Sequence, residues 1–180
     1  MAKLNRKTRR ERLRNPTKVF PFAFCAVSLI DDKNTHLIYR TLSNLSGREM
    51  FIIGSNQFFK GAANGLKETL SISYFKNWNE FFSYIREYTN YSLIAIEQSE
   101  KSIMLPEFEF PKKPCVFIFG SENFGLTDEV LLNADYVVEI PQFGSHPCYN
   151  ASISSAIVGY EYVNKEFISK KEIFIPRLAK

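Results

Sequence analysis

Two stretches hold the residue types best suited to chemistry. The first reads Gly120-Ser121-Glu122-Asn123-Phe124-Gly125-Leu126 and follows the apolar run Val116–Phe119. A glycine at a strand end lets a ligand approach the backbone closely, and exposed amides there can read the edge of a flat heterocycle. The same residues also make an ordinary strand–turn–helix connection, with Glu122 favourably placed near a helix start. The second stretch runs from Ile140-Pro141-Gln142 through Phe143-Gly144-Ser145-His146-Pro147 to Cys148-Tyr149-Asn150-Ala151-Ser152. It is long, polar and stiffened by two prolines, and it leads into a helix for which Asn150 and Ser152 are candidate caps. Either loop alone is commonplace; the pair is less so.

Several other chemistries lack their residues. No G-x-G-x-x-G and no G-x-x-x-x-G-K-[ST] occurs, so a standard dinucleotide or P-loop site is not supported. His36 and His146 lack a nearby carboxylate pattern, and no metal is expected. Cys25, Cys115 and Cys148 are far apart with no Cys-x-x-Cys pair, so neither a zinc site nor a disulfide framework is indicated. They read as small apolar side chains in a reducing compartment.

The elements that must position these loops alternate. Phe22–Ile30 is a nearly continuous apolar run that reads as a buried strand, followed by the polar turn Asp31–Asn34. Leu37, Ile38, Leu42 and Leu45 recur at helical spacing, with Gly47 as the stop. Met50–Ile53 is a second strand, and Ile72–Phe75 a short one. Trp78–Tyr88 predicts an amphipathic helix capped by Asn77. Tyr91–Ile96, Val116–Phe119 and Tyr136–Ile140 are further strands. Leu126–Leu132 predicts a helix capped by Thr127, and Ile153, Ala156, Ile157 and Tyr160 mark a final helix. The pattern predicts an α/β fold, a mostly parallel sheet with helices on both faces. In such sheets ligands bind beyond the carboxyl ends of the strands, which directs attention to residues 31–36, 97–104, 120–125 and 141–150.

The chain has 180 residues, enough for one domain with a real core, and 45% of them are hydrophobic, including 17 Phe and 9 Tyr. Global disorder is excluded. The net charge of +4 hides an asymmetry. Residues 1–18 carry eight cations and one acid, whereas residues 19–180 carry 15 cations and 18 acids. A uniformly cationic nucleic-acid coat is therefore excluded. No apolar run approaches the length needed to span a bilayer, so no membrane association is expected. The charged start does not read as a secretory signal, and the tail lacks the serines of an organelle transit peptide. A cytoplasmic location is expected.

Three ordered motifs resemble the SPOUT superfamily, specifically its SpoU/TrmH-type RNA 2′-O-ribose methyltransferases. The first is Asn34…Arg40, at a strand-to-helix junction. The second is Phe117-Ile118-Phe119-Gly120-Ser121-Glu122-Asn123-Phe124-Gly125-Leu126, similar to an apolar-G-x-E-x-x-G-[LIV] run. The third joins Ile140-Pro141-Gln142 to Cys148-Tyr149-Asn150-Ala151-Ser152-Ile153, similar to I-P-[MQ]…S-L-N-V-S-V. Ala95-Ile96-Glu97-Gln98 with Ser102-Ile103-Met104-Leu105 looks like the tRNA-directed branch. The resemblance covers about residues 20–164.

That resemblance implies a trefoil knot near the carboxyl end, forming a pocket for S-adenosylmethionine, and a homodimer that completes the active site. The implied domain is 19–168, flanked by the basic tail 1–18 and a carboxyl-terminal tail 169–180. By match, Gly120, Ile140 and Tyr149 hold the cofactor mainly through backbone groups, with Gln142 and Glu97 close by. Arg40 acts at the target ribose, and Asn34, Glu122, Asn150 and Ser152 position it and the ribose. A guanidinium stays protonated, so it orients the hydroxyl or acts with help from an RNA phosphate. His36 stands where the family often has glycine, and Cys148-Tyr149 where it has Ser-Leu. The implied substrate is RNA, tRNA favoured and rRNA possible. Arg6, Lys7, Arg9, Arg10, Arg12 and Arg14 are expected to contact RNA phosphates. Against this enzyme stand a catalytically silent RNA-binding module that retains the fold and a generic nucleotide-binding α/β domain.

Overall fold

The computed structural model describes residues 19–27, 32–54, 70–121 and 124–172. In chain order the elements are β1 (Phe22–Val27), α1 (Asp32–Asn44), β2 (Glu49–Ile53), β3 (Ser71–Phe75), α2 (Trp78–Tyr88), β4 (Ser92–Ile96) and β5 (Ile103–Met104). Then come β6 (Cys115–Phe119), α3 (Asp128–Asn133), β7 (Tyr136–Glu139) and α4 (Ala151–Val163), which continues as a π-helical turn over Asn164–Ile168. The strands form one seven-stranded sheet in the order β3-β2-β1-β6-β4-β7-β5. Every pairing in it is parallel.

The central strands read as unbroken apolar runs because both of their faces are covered. Along β1 and β6, Phe22, Phe24, Phe117 and Phe119 turn to one side and pack with Ile38 and Leu42 of α1 and Val158 and Tyr162 of α4. Ala23, Cys25, Val116 and Ile118 turn to the other and meet Phe81, Phe82 and Ile85 of α2 and Val130 of α3. Helices thus cover both faces, as the alternation predicts. Rings interlock edge to face within the first layer, Phe24 on Phe119 at 5.2 Å and Phe117 on Tyr162 at 5.5 Å between centroids. Burying each such ring stabilises the fold by about 1.5–3 kcal/mol.

Local details depart from the sequence expectation. The expected turn at 31–34 is helical from Asp32 onward, so Asn34 lies in the first turn of α1 rather than at a junction before it. The helix ends at Asn44, and two residues on Ser46 takes the left-handed conformation with φ +56°. Gly47 follows, its amide donating to Leu42 O at 3.0 Å in a Schellman arrangement. A side chain on Gly47 would overlap Leu42, so that glycine serves close packing rather than the backbone reversal. α3 begins at Asp128, and Thr127 precedes it without a side-chain cap bond. Asn77 does cap α2, its Oδ1 accepting the Glu80 amide at 3.0 Å. The edge strand β5, only two half-exposed residues long, carries no pattern by which it could be read. β1 ends at Val27; residues 28–31 and 55–69, the basic tail and residues 173–180 lie outside the described residues. Among the described residues, no helix is long and apolar enough to cross a membrane.

Candidate active site

Beyond the carboxyl ends of β4, β6 and β7 lies a cavity of about 720 Å³. Three of the four loops singled out by strand polarity contribute to its wall: residues 97–98 after β4, 119–121 and 124–126 after β6, and Ile140, Gln142 and residues 148–151 after β7. The described part of the fourth, in α1, does not. The wall mixes apolar Ile96, Phe119, Leu126 and Ile140 with polar Gln98, Gln142 and Asn150.

The turn after β6 is tightly built. Ser121 and Gly125 exchange backbone hydrogen bonds at 3.1 and 2.9 Å, and the Phe124 amide donates to Ser121 Oγ at 3.2 Å. Gly125 has φ +61°, a conformation that costs side-chain-bearing residues about 1–2 kcal/mol. A Cβ there would also stand 2.5 Å from Glu97 Oε2. Gly120 lies directly against the backbone of Gly125 and Leu126, leaving no room for a Cβ. Glycine at both positions is therefore required by the turn itself.

Glu97 braces this turn. Its Oε2 accepts the Leu126 amide at 2.9 Å and its Oε1 accepts the Gln98 amide at 3.0 Å. Gln98 Nε2 in turn donates to Pro147 O at 2.8 Å, tying the 97–98 loop to the long loop after β7. That loop ends at Asn150, whose Oδ1 accepts both the Ser152 amide at 2.9 Å and the Ser152 hydroxyl at 2.6 Å. Asn150 is thus the cap of α4, whereas Ser152 sits inside the helix, 5% exposed. Ser155 follows, its hydroxyl donating to Ser152 O at 2.7 Å.

Of the ten residues expected at the cofactor and the ribose, Gly120, Ile140, Gln142, Tyr149, Glu97 and Asn150 come together on the cavity wall. Ser152 lies two residues beyond Asn150 and is hydrogen-bonded to it. Asn34, half-buried, and Arg40, exposed, lie on α1 and are not part of the wall. Glu122 and the tail cations lie outside the described residues. Sequence reasoning did not assign Gln98, Asp128 or Ser154, which also line the cavity. Asp128 had a usable signal, an acid in the first turn of a helix at the strand ends; Ser154 had none. Among the described residues, no three His, Cys, Asp or Glu side chains converge as a metal site.

A model of the SpoU rRNA methylase family matches residues 21–160. A tRNA (guanosine(18)-2′-O)-methyltransferase of Borreliella burgdorferi is 43% identical over 70 residues, which are 39% of this chain and 32% of that protein. The chain spans between 5% and 52% of the length of the curated relatives it matches. Among solved structures, the TrmH/SpoU tRNA modifying enzyme of A. aeolicus superposes with a TM-score of 0.74 at 20% identity, covering 92% of this chain and 86% of that one. An AdoMet-bound rRNA methyltransferase from Sinorhizobium meliloti superposes with a TM-score of 0.72 at 19% identity, covering 91% of this chain and 71% of that one. At these identities the superpositions establish the fold.

Proposed function

The chain belongs to the SpoU rRNA methylase family, and we propose that it transfers a methyl group from S-adenosylmethionine to a ribose 2′-hydroxyl of RNA, tRNA being the favoured substrate and rRNA the second. One observation carries the reading: the three loops of the family-matched region close around one chamber of adequate size at the strand ends. The names of the relatives, tRNA (guanosine(18)-2′-O)-methyltransferases from several organisms, support tRNA as the substrate.

The chamber's donor set suits the cofactor. Apolar Ile96, Phe119, Leu126 and Ile140 provide walls for an adenine, and Gln142 and the loop amides provide its polar partners. Asp128 puts a carboxylate on the same wall, favourable for a cationic sulfonium. Gly120, Ile140 and Tyr149 would hold the cofactor, with Gln142 and Glu97 completing the wall. Bound there, S-adenosylmethionine supplies the methyl group. The protein's work is orientation of a hydroxyl and polarisation of its O–H bond. Asn150, locked in one orientation by Ser152, Glu122 and Asn34 position the ribose and the guanidinium of Arg40. A carboxyl-terminal trefoil knot is part of the proposal; the return of the chain from β7, past the 97–98 loop, to α4 against α1 and β6 supports it.

Arg40 belongs, in this reading, to the site of a second copy. α1 packs on α4, and α4 is apolar on nearly every side, as buried helices are. Ile153 and Tyr160, seven residues apart on one helix face, are 51% and 58% exposed, and Leu37 of α1 is 46% exposed. A homodimer through this face covers them and carries Arg40 to its partner. The protein acts in the cytoplasm, and the cations of residues 6–14 hold RNA phosphates.

Incubation with labelled S-adenosylmethionine and bulk tRNA or rRNA, followed by nucleoside mass analysis, tests the reading. A 2′-O-methylnucleoside is expected. Cofactor binding with no methyl transfer, beside an active control enzyme, would favour the silent RNA-binding module instead.

A further inference from the structure

We propose that Phe124 and Phe143 are stacking platforms for unpaired RNA bases beside the chamber, an assignment that rests on the RNA-methylating reading above. The two rings are 87% and 94% exposed, among the most exposed large apolar side chains described. Both stand on loops that frame the cavity. Phe124 lines it directly, and Phe143 follows cavity-lining Gln142.

The Phe124 ring stands on a closed turn, and the loop that carries Phe143 is tied at its far end. Phe124 projects from the turn closed by the reciprocal Ser121 and Gly125 bonds and by its own amide on Ser121 Oγ. Phe143 lies between the buried Ile140 and Pro147, whose carbonyl is held by Gln98. The benzyl group of Phe124, fixed in water beside the site, loses little further backbone freedom when a partner covers it.

The charge of the surroundings selects the partner. Residues 19–180 carry 15 cations against 18 acids, so the catalytic body does not attract phosphates. Phosphate contacts fall to the tail, and the body must grip RNA by groups that ignore its charge. Every base has a π-face, and aromatic stacking holds bases without reading their sequence. Stacking also requires bases that are out of a duplex, so the substrate is a loop or other unpaired segment.

The test uses the full-length protein and variants Phe124→Ala, Phe143→Ala and Phe143→Tyr. The probes are a short fluorescein-labelled oligoadenylate and its duplex with oligouridylate. Each alanine variant should lose about tenfold in affinity for the single strand. Duplex affinity, the salt slope and sedimentation should be unchanged in both, S-adenosylhomocysteine affinity should be unchanged in Phe143→Ala, which lies off the cavity wall, and Phe143→Tyr should retain wild-type binding. Unchanged single-strand affinity in both alanine variants would overturn the proposal. So would a shift to smaller sedimenting species, which would place the rings in a subunit interface. Methyl transfer to bulk tRNA is measured on the same wild-type preparation. Its absence sinks the parent reading, whereas unaltered strand binding by variants of an active enzyme sinks the stacking role alone.

Discussion

Glu97 and Leu126 are joined across 29 residues of chain by a hydrogen bond of 2.9 Å from the Leu126 amide to Glu97 Oε2. With Oε1 on the Gln98 amide, both carboxylate oxygens serve main-chain donors. The side chain therefore shapes the glycine turn rather than offering a free charge to a ligand. Glu97→Ala leaves the Leu126 amide without its acceptor, at a cost of about 1–3 kcal/mol in denaturant unfolding. S-adenosylhomocysteine affinity by calorimetry should fall with it, and Glu97→Gln, which keeps one acceptor, should fall between. Wild-type affinity in Glu97→Ala would remove the brace from the account.

Gly125→Ala should weaken cofactor binding more sharply while leaving the circular dichroism spectrum intact. It combines the left-handed φ of +61° with a Cβ 2.5 Å from Glu97 Oε2. Gly144→Ala is the matched control, because nothing lies within 4 Å of the added carbon. Equal affinities for the two variants would contradict the packing argument.

Arg40→Ala should reduce methyl transfer by about 10²–10⁴-fold and leave S-adenosylhomocysteine affinity unchanged. If Arg40 works in the partner's site, mixed dimers of Arg40→Ala with Gly125→Ala regain part of the activity. In such a dimer one site has both an intact turn and an intact arginine. Failure of the mixture, with subunit exchange verified, would return Arg40 to its own chain's site.

Removal of residues 1–18 should weaken RNA binding and flatten its salt dependence. For a single strand the log–log slope should fall by about 0.7 for each phosphate that the tail no longer neutralises. S-adenosylhomocysteine affinity should not change. An unaltered slope would make the cations a solvated run and no more.

Thiol chemistry separates the three cysteines. Cys148 is exposed and lines the cavity, so it should react with a maleimide at neutral pH and be protected by S-adenosylhomocysteine. Burial pushes Cys25 well above the ordinary thiol range; burial, and then the nearby Glu166, push Cys115 up to about 12 from 9.0. Both should stay unmodified in the native protein. A thiol held neutral by the fold binds its proton more tightly than it does in the unfolded chain. Its stabilisation is complete below pH 9 and is lost as pH climbs towards 12. Melting temperature should therefore decline above pH 9, and Cys115→Ala should flatten that decline.

The strands were legible because their chemistry is uniform: a run such as Cys115–Phe119 has no place except between covered faces. Strand polarity then singled out four loops, three of which wall the cavity. The proposed knotted connection leaves no local mark, because periodicity records neighbours along the chain and not the order in which segments cross. Asn34 was misplaced by a helix that begins at Asp32, where a polar tetrad resembles a turn. Glu97 was legible as a site residue, but its hydrogen bond to an amide 29 residues away was not. Arg40 illustrates the remaining limit. A residue proposed to work across a subunit boundary cannot be identified by the geometry of its own chain alone.

The strand order also governs how the chain must fold. β6 is the sixth strand in sequence, yet it fills the gap between β1 and β4. Until residue 119 is available, the early block of β1, β2 and β3 and the later strand β4 each hold an open edge meant for the same insertion. Parallel pairing over such separations closes large loops before any contact rewards them, which slows folding. Unpaired apolar edges also recruit other chains. The strand that ends in the glycine turn is therefore both the central keystone of the sheet and the foundation of the site, so the cofactor chamber cannot form ahead of that insertion.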